Sequence, residues 1–280
     1  MCRYLSILAL ALLASTCLAA DYPSAVVALG AAGPFMRSRQ FAEARAPLEA
    51  AFKLAKPGDR VQRAAAEKLL TVYRELREPD KLLEMGDFLI NTGERSAGRF
   101  VVSNTLADFL HQNGMLDQGI KRYEERLQKH ANDLAALGVL ERIYSQTSPK
   151  DAAKAKAIGD KLRAANIALA TDLAQKLLAR AEQDPKQAAW HLMDAAQLWL
   201  EAEAKPRAIA AAKASQGAAP ENRSQILTHQ WHEGLGDVFL EAGETTLAVA
   251  EFKSAIEFAP SESWKTPIQK KLEQAEGQLK

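Results

Sequence analysis

The chain has 280 residues, enough for a substantial core in one or two globular domains or in one elongated stack. Apolar residues make up 48% of it, but only 6% is aromatic and much of the rest is alanine, a mix that favours helices over sheets. Lysine and arginine number 36 against 35 aspartates and glutamates, and this near-zero balance argues against a nucleic-acid or polyanion binder.

The first residues carry an export pattern. Arg3 precedes an apolar run from Leu5 to Leu13, and small residues follow at Ala14, Ser15, Ala19 and Ala20, the order of a cleavable secretory signal. Cleavage after Ala19 gives a leader of residues 1–19 and an exported mature chain, periplasmic or secreted. The run is short for a membrane span, and no later segment approaches about 20 continuous apolar residues. A second reading takes Leu13 to Cys17 as resembling the lipidation box of bacterial lipoproteins, although Ala14 and Thr16 depart from its usual residues. Lipidation would tether the chain to a membrane, with no aspartate after Cys17 to retain it at the inner one. The protein would then be an outer-membrane lipoprotein, an assembly factor of the bacterial cell envelope. Cys2 and Cys17 are the two cysteines, so a mature chain beginning at Ala20 has no disulfide, no thiolate nucleophile and no sulfur ligand for zinc.

From Ala25 onward helical stripes recur in pairs. In residues 25–58 the apolar positions are Phe35, Ala44, Leu48 and Ala51. Gly33 and Pro34 interrupt the first helix and Pro47 lies inside the second, so a kinked or capping pair is expected. Residues 63–96 place Leu69 and Tyr73 four apart, turn at Arg77, Glu78 and Pro79, and start a second helix at Asp80 as its N-cap. Leu82 then precedes Gly86, reversing the small-then-large order of the other pairs. Residues 100–133 carry Leu106, Ala107 and Leu110, then Gly114, Gly119 and Tyr123. Residues 134–167 follow at once with Leu137, Leu140, Tyr144, Ala153 and Ala157, a repeat of about 34 residues. Residues 166–184 keep a stripe at Ile167, Leu169, Leu173, Leu177 and Leu178 that breaks the period. They read as an inserted helix, separate from or continuous with the preceding one, ended near Pro185. Residues 189–222 resume the period with Leu192, Ala196, Trp199, Ala208, Ala212 and Pro220.

The most specific pattern lies in residues 229–262. Leu235 and Phe239 share one helical face, as do Ala248 and Phe252, while Gly236 and Ala248 lack the bulk to keep two backbones apart. Gly243 supplies a positive φ between the helices, and Pro260 lies past the end of the second. Leu235, Gly236, Phe239, Gly243, Ala248, Phe252, Ala255 and Pro260 together resemble the signature of a tetratricopeptide repeat. The resemblance extends over residues 20–262 and implies an all-α fold, a right-handed superhelical solenoid of stacked antiparallel helix pairs. The first helix of each pair would line a concave wall. Residues 263–280 would form a C-terminal capping helix with Ile268 and Leu272 on its apolar side.

The same resemblance implies a protein or peptide partner held in the concave groove, and it assigns the partner-facing residues. These are Glu67, Thr71, Arg74 and Glu75, then Asn104, Asp108, His111 and Gln112, then Arg142, Ser145 and Gln146. Trp190, Met193, Gln197, Glu201, Glu233, Asp237 and Glu241 follow in the last two pairs. Chaperone-binding members clamp a terminal carboxylate with a lysine and an asparagine, and this chain has Glu67 with Thr71, Asn104 with Asp108 and Glu233 with Asp237 at those places. The clamp is missing, and the acids near the C-terminal end suit a basic or extended polar partner.

No enzyme chemistry is legible, so the expectation is a non-catalytic scaffold without cofactor or metal. His229, His232 and Glu233 lie at i, i+3 and i+4, but not in the His-Glu-x-x-His order of a zinc hydrolase, and they read as a solvated helix start. His111, His130 and His191 have no second ligand at useful spacing. Gly234 and Gly236 follow no strand and lack a third glycine, which excludes a dinucleotide loop. No nucleic acid is expected as a partner, and a membrane only if Cys17 is lipidated.

Overall fold

The computed structural model describes residues 22–93, 95–147, 152–218 and 224–279. The expected leader and Cys17 lie outside them. The described residues form thirteen helices and no strand. In chain order these are α1 Ala25–Arg37, α2 Phe41–Leu54, α3 Arg60–Glu75, α4 Pro79–Thr92, α5 Ser96–Gln112, α6 Leu116–Lys129 and α7 Leu134–Thr147. Then come α8 Ala152–Gln183, α9 Ala188–Glu201, α10 Lys205–Gly217, α11 Gln225–Ala242, α12 Thr245–Glu257 and α13 Glu262–Gln278. None of these helices is long and apolar enough to cross a membrane. The chain falls into two compact units. One runs up to Gly93 and takes in Gly98–Ala155, and the other comprises Glu94–Ala97 with Lys156–Lys280.

Five hairpins share one turn. Arg39, Arg77, Gly114, Glu203 and Gly243 have φ of 57, 57, 67, 58 and 92° and stand between α1 and α2, α3 and α4, α5 and α6, α9 and α10, and α11 and α12. Each lies four residues after a large side chain: Phe35, Tyr73, Leu110, Trp199 and Phe239. The amide just past each turn residue donates to the carbonyl of that large residue, as in Glu78 to Tyr73 at 2.9 Å, Met115 to Leu110 at 2.8 Å and Glu244 to Phe239 at 2.8 Å. The amide of the turn residue itself reaches one carbonyl further on, as in Gly243 to Leu240 at 3.1 Å. This bond pair satisfies the carbonyls a helix end leaves open and reverses the chain within three residues.

Helix starts are closed by side chains at several points. Ser24, Asp59 and Ser224 accept from the amides of Val27, Gln62 and Leu227. Asp133 accepts from Ala136 at 3.0 Å and so caps α7. Asp80 does not act as a cap. The helix begins one residue earlier, at Pro79, whose missing N–H costs nothing in the first turn, and Asp80 supplies negative charge there instead.

Inside the hairpins the backbones approach where a side chain is absent. A Cβ added to Gly236 would stand 2.5 Å from the Phe252 ring. His229, two turns further from Gly243, meets the Ala255 carbonyl, about one turn further beyond it, so α11 and α12 run antiparallel. In the N-terminal unit Gly86 receives Leu106, Gly119 receives Leu110 and Gly138 receives Ser103. The reversed order of Leu82 and Gly86 is thereby explained: Leu82 is fully buried, and Gly86 makes room for a leucine of the next hairpin.

One expectation is corrected. Pro34 does not interrupt its helix, because α1 runs through it. Pro47 lies inside α2 as expected, buried with Ala44, Leu48 and Ala51, and that apolar burial offsets the amide bond a proline forfeits. The stripe at 166–184 is continuous with the preceding helix, one of the two arrangements its spacing allows: α8 is one helix of 32 residues. Its Leu173, Leu177 and Leu178 pack on the core formed with α9 to α13.

The turn sets the first prediction. Gly243→Val should destabilise the protein by about 1–2 kcal/mol, since a β-branched residue is forced to positive φ. Arg39→Gly, which relieves the same conformation, should be neutral or stabilising. Equal losses in chemical denaturation would contradict a common turn.

Candidate functional site

The expected partner-facing residues divide between the two units, and their surroundings differ. In the N-terminal unit, Glu67 and Arg74 on α3 and Asp108 and His111 on α5 are exposed. Arg74 reaches Glu75 at 3.3 Å, both about half exposed. The close fit of Ser103 against Gly138 draws α5 and α7 together, which places the next turns of both helices side by side. Gln146 on α7 accordingly donates to Asp108 on α5 at 3.2 Å. Asn104 and Arg142 are half-buried between these helices, and each has a buried atom, Asn104 Oδ1 and Arg142 Nε, with no hydrogen-bond partner. An acceptor and a donor withdrawn from water without partners is a costly arrangement unless something else binds there.

The C-terminal unit answers its acids from within. Lys271 on α13 bonds Glu233 at 2.9 Å and Asp237 at 2.7 Å, both on α11. Burial pushes the Asp237 carboxyl above its ordinary range and the nearby Glu233 adds to this, against the pull of Lys271. Burial likewise works against the charged Lys271, but its bonds to Asp237 and Glu233 outweigh it and hold the ammonium above its ordinary value. The two shifts differ in sign for stability because burial prevails at Asp237 and the two carboxylate bonds prevail at Lys271. Gln197 accepts from Arg95, and Glu201 accepts from the Ser96 amide at 2.9 Å with Arg95 at 3.6 Å. Trp190 is half-buried and Glu241 exposed.

The solvated helix start expected at His229 is overturned. The helix begins one turn earlier, at Gln225 behind its Ser224 cap, so His229 lies within it at 1% exposure and its Nδ1 meets the Ala255 carbonyl at 2.7 Å. His232 lies 2.7 Å from Glu251, which also accepts from Gln216. Trp231 donates to Ser215 at 3.0 Å, and Ser215 donates to the Ala189 carbonyl at 2.7 Å. These contacts tie α9, α10, α11 and α12 together as structure. Among the described residues no group of three His, Cys, Asp or Glu could hold a metal ion.

Two polar clusters escaped the sequence reading because their members lie on different helices. Asp87 on α4, 7% exposed, accepts from Arg122 at 3.0 Å, from the Tyr123 hydroxyl at 3.0 Å and from Arg126, all on α6. Arg126 also holds Asp133 at 2.7 Å, the cap of α7. Burial, with the Asp87 charge added, keeps the Tyr123 hydroxyl protonated far above its ordinary range. In the second cluster Glu49 on α2 accepts from Arg45 at 2.9 Å, Tyr73 at 2.8 Å and Lys81 at 3.3 Å. Burial raises the Glu49 carboxyl, but these three bonds outweigh it and leave it below the ordinary carboxylate value.

No family model matches the chain, and no curated protein matches it. Among solved structures, a tetratricopeptide repeat protein from Parabacteroides merdae ATCC 43184 is similar at 15% identity, over 91% of this chain and 99% of that one, with a TM-score of 0.30. The TPR2AB domain of yeast Sti1 in its pHSP90 complex is similar at 14% identity, over 90% and 98%, with a TM-score of 0.28. Among the described residues the fold is all-α, built of antiparallel helix pairs that share a common turn.

A carboxylate held below its unfolded value stabilises above that value, and the gain disappears as pH falls through the folded one. Thermal melts should therefore lose more stability below about pH 4.5 in the wild type than in Glu49→Gln. Parallel curves for the two proteins would remove Glu49 from the account.

Proposed function

We propose that the protein is an exported, non-catalytic scaffold that holds an extended segment of a protein partner along α3, α5 and α7 of its N-terminal unit. The observation that carries this reading is the pair of buried, unpartnered atoms Asn104 Oδ1 and Arg142 Nε beside the exposed Asp108 and Gln146. Both atoms are closed off here, so an extended peptide reaches them by shifting the two half-buried side chains, and then supplies an amide N–H for the asparagine oxygen and a carbonyl for the arginine nitrogen. Side chains held in place by packed helices limit the ordering cost of binding to the partner. The surface is mixed in sign, with Glu67 and Asp108 against Arg74 and Arg142, and favours a polar segment of alternating charge. Export is supported by the order of Arg3, the Leu5 to Leu13 run and the small residues up to Ala20.

Photo-crosslinking in the native compartment tests the surface. A crosslinker at position 108 or 145 should capture the same partner, one at the exposed position 121 on α6 should capture none, and Asn104→Ala with Arg142→Ala should lower the yield at 108 at least fivefold. Equal capture from 121, or no effect of the double substitution, would move the site elsewhere. Intact mass of the exported protein tests the leader: a chain beginning at Ala20 is expected, and a diacylated Cys17 would make it a membrane-tethered lipoprotein instead.

A further inference from the structure

A cleft of about 320 Å³ opens between α8 and α9 of the C-terminal unit, and Arg95 at its side also reaches Gln197 and Glu201, two of the partner-facing positions assigned by the repeat pattern. Its floor is apolar: Leu173 and Leu177 stand four apart on α8, and Leu198 on α9 is 4% exposed. Its rim is basic. Lys176 and Arg180 stand four apart on the neighbouring stripe of α8, His191 faces them from α9, and Arg95 of the same unit lies at one side. Asp194 is the one acid in the lining, and Arg95 already stands 3.9 Å from it. Lys176 pairs with Asp172 at 2.7 Å, but both are more than half exposed, and such a pair holds its lysine weakly. The side chains of Arg180 and His191 have no hydrogen-bond or ion-pair partner among the described residues.

The charge around this cleft is opposite to that expected for the C-terminal half. Glu233 and Asp237 are taken by Lys271, and Glu201 by Ser96 and Arg95, whereas over the three leucines Lys176 has only its exposed pair with Asp172, and Arg180 and His191 have no ion pair among the described residues. We infer that the cleft between α8 and α9 is a docking site for an acidic segment of a protein partner, one that places a leucine-sized or phenylalanine-sized side chain on Leu173, Leu177 and Leu198 and its carboxylates on Lys176, Arg180 and His191. The volume lies at the lower end of ligand pockets and suits one or two side chains rather than a whole helix. The apolar contact supplies affinity, and the basic rim selects the sign of the segment and speeds its arrival. This inference rests on the reading of the chain as a partner-binding scaffold, and it adds a second, independent surface to it.

Fluorescence anisotropy with the whole protein tests the site. The probe is a fluorescein-labelled peptide of alternating Glu and Leu, compared with peptides of alternating Lys and Leu and of alternating Glu and Ser. The Glu-Leu peptide should bind at least tenfold more tightly than either, and its affinity should fall severalfold between 50 and 300 mM salt. Lys176→Glu with Arg180→Glu should weaken it at least tenfold while leaving the thermal melt unchanged, because both side chains are exposed. Leu177→Ser provides the apolar counterpart. Asp108→Lys with Arg142→Glu should leave this affinity unaltered, so failure here is separable from failure of the α5 and α7 surface. The inference is overturned if the charge reversal has no effect, if the Lys-Leu peptide or decanoate binds as tightly, or if the Glu-Leu peptide shows no binding at millimolar concentration.

Discussion

The fold depends on one backbone constraint, a single residue in left-handed conformation after the first helix in five of the hairpins. It lets two amides reach back to two open carbonyls, and the second helix then has one direction in which to leave. Everything laid down afterwards follows from that direction. The carbonyl of the large residue four positions before the turn accepts from the closing amide, and in Tyr73, Leu110, Trp199 and Phe239 the side chain is buried, so one position serves both the reversal and the packing. Gly114 and Gly243 adopt the conformation without penalty, while Arg39, Arg77 and Glu203 hold it against the steric cost of a Cβ. That three charged residues do so shows how strongly the surrounding contacts dictate the turn.

Electrostatics inside the protein sorts its charges unequally. Where carboxylates meet lysine or arginine across helices, as at Glu49, Asp87 and Asp237, they belong to the architecture. Other polar groups have no such partner, among them Asn104 Oδ1 and Arg142 Nε between α5 and α7 and the basic rim over α8 and α9. Near-neutral overall composition is therefore compatible with local surfaces of marked character, since the neutralisation happens pair by pair and not uniformly.

The helices were legible because their apolar spacing and turn residues are local. Leu235 with Phe239, Ala248 with Phe252 and the glycine between them define a hairpin without knowledge of anything distant. What was not legible depended on tertiary neighbours. His229 and His232 look solvated in sequence, and only the position of α12 shows that they are enclosed. Asp87 and Tyr123 are on helices of different pairs, and Lys271 reaches Glu233 across most of the last pair. The acids on α11 were read as available because the lysine that occupies them lies in a helix whose charged faces gave no hint of a preferred partner. Pro34 misleads in the opposite sense: its tendency to break a helix is local, yet α1 runs through it.

The cluster at Asp87 has a consequence for how such a chain changes over time. One carboxylate under the surface serves two guanidinium groups and a phenol, and one of those guanidinium groups also grips the residue that starts the following helix. Replacing Asp87 by itself takes the carboxylate partner from Arg122 and leaves Arg126 with Asp133 alone, and replacing Arg126 by itself loosens a cap in the next hairpin. A substitution at any one of these positions is therefore felt in two hairpins at once, so the neighbouring modules are less independent than the regular spacing of the chain suggests.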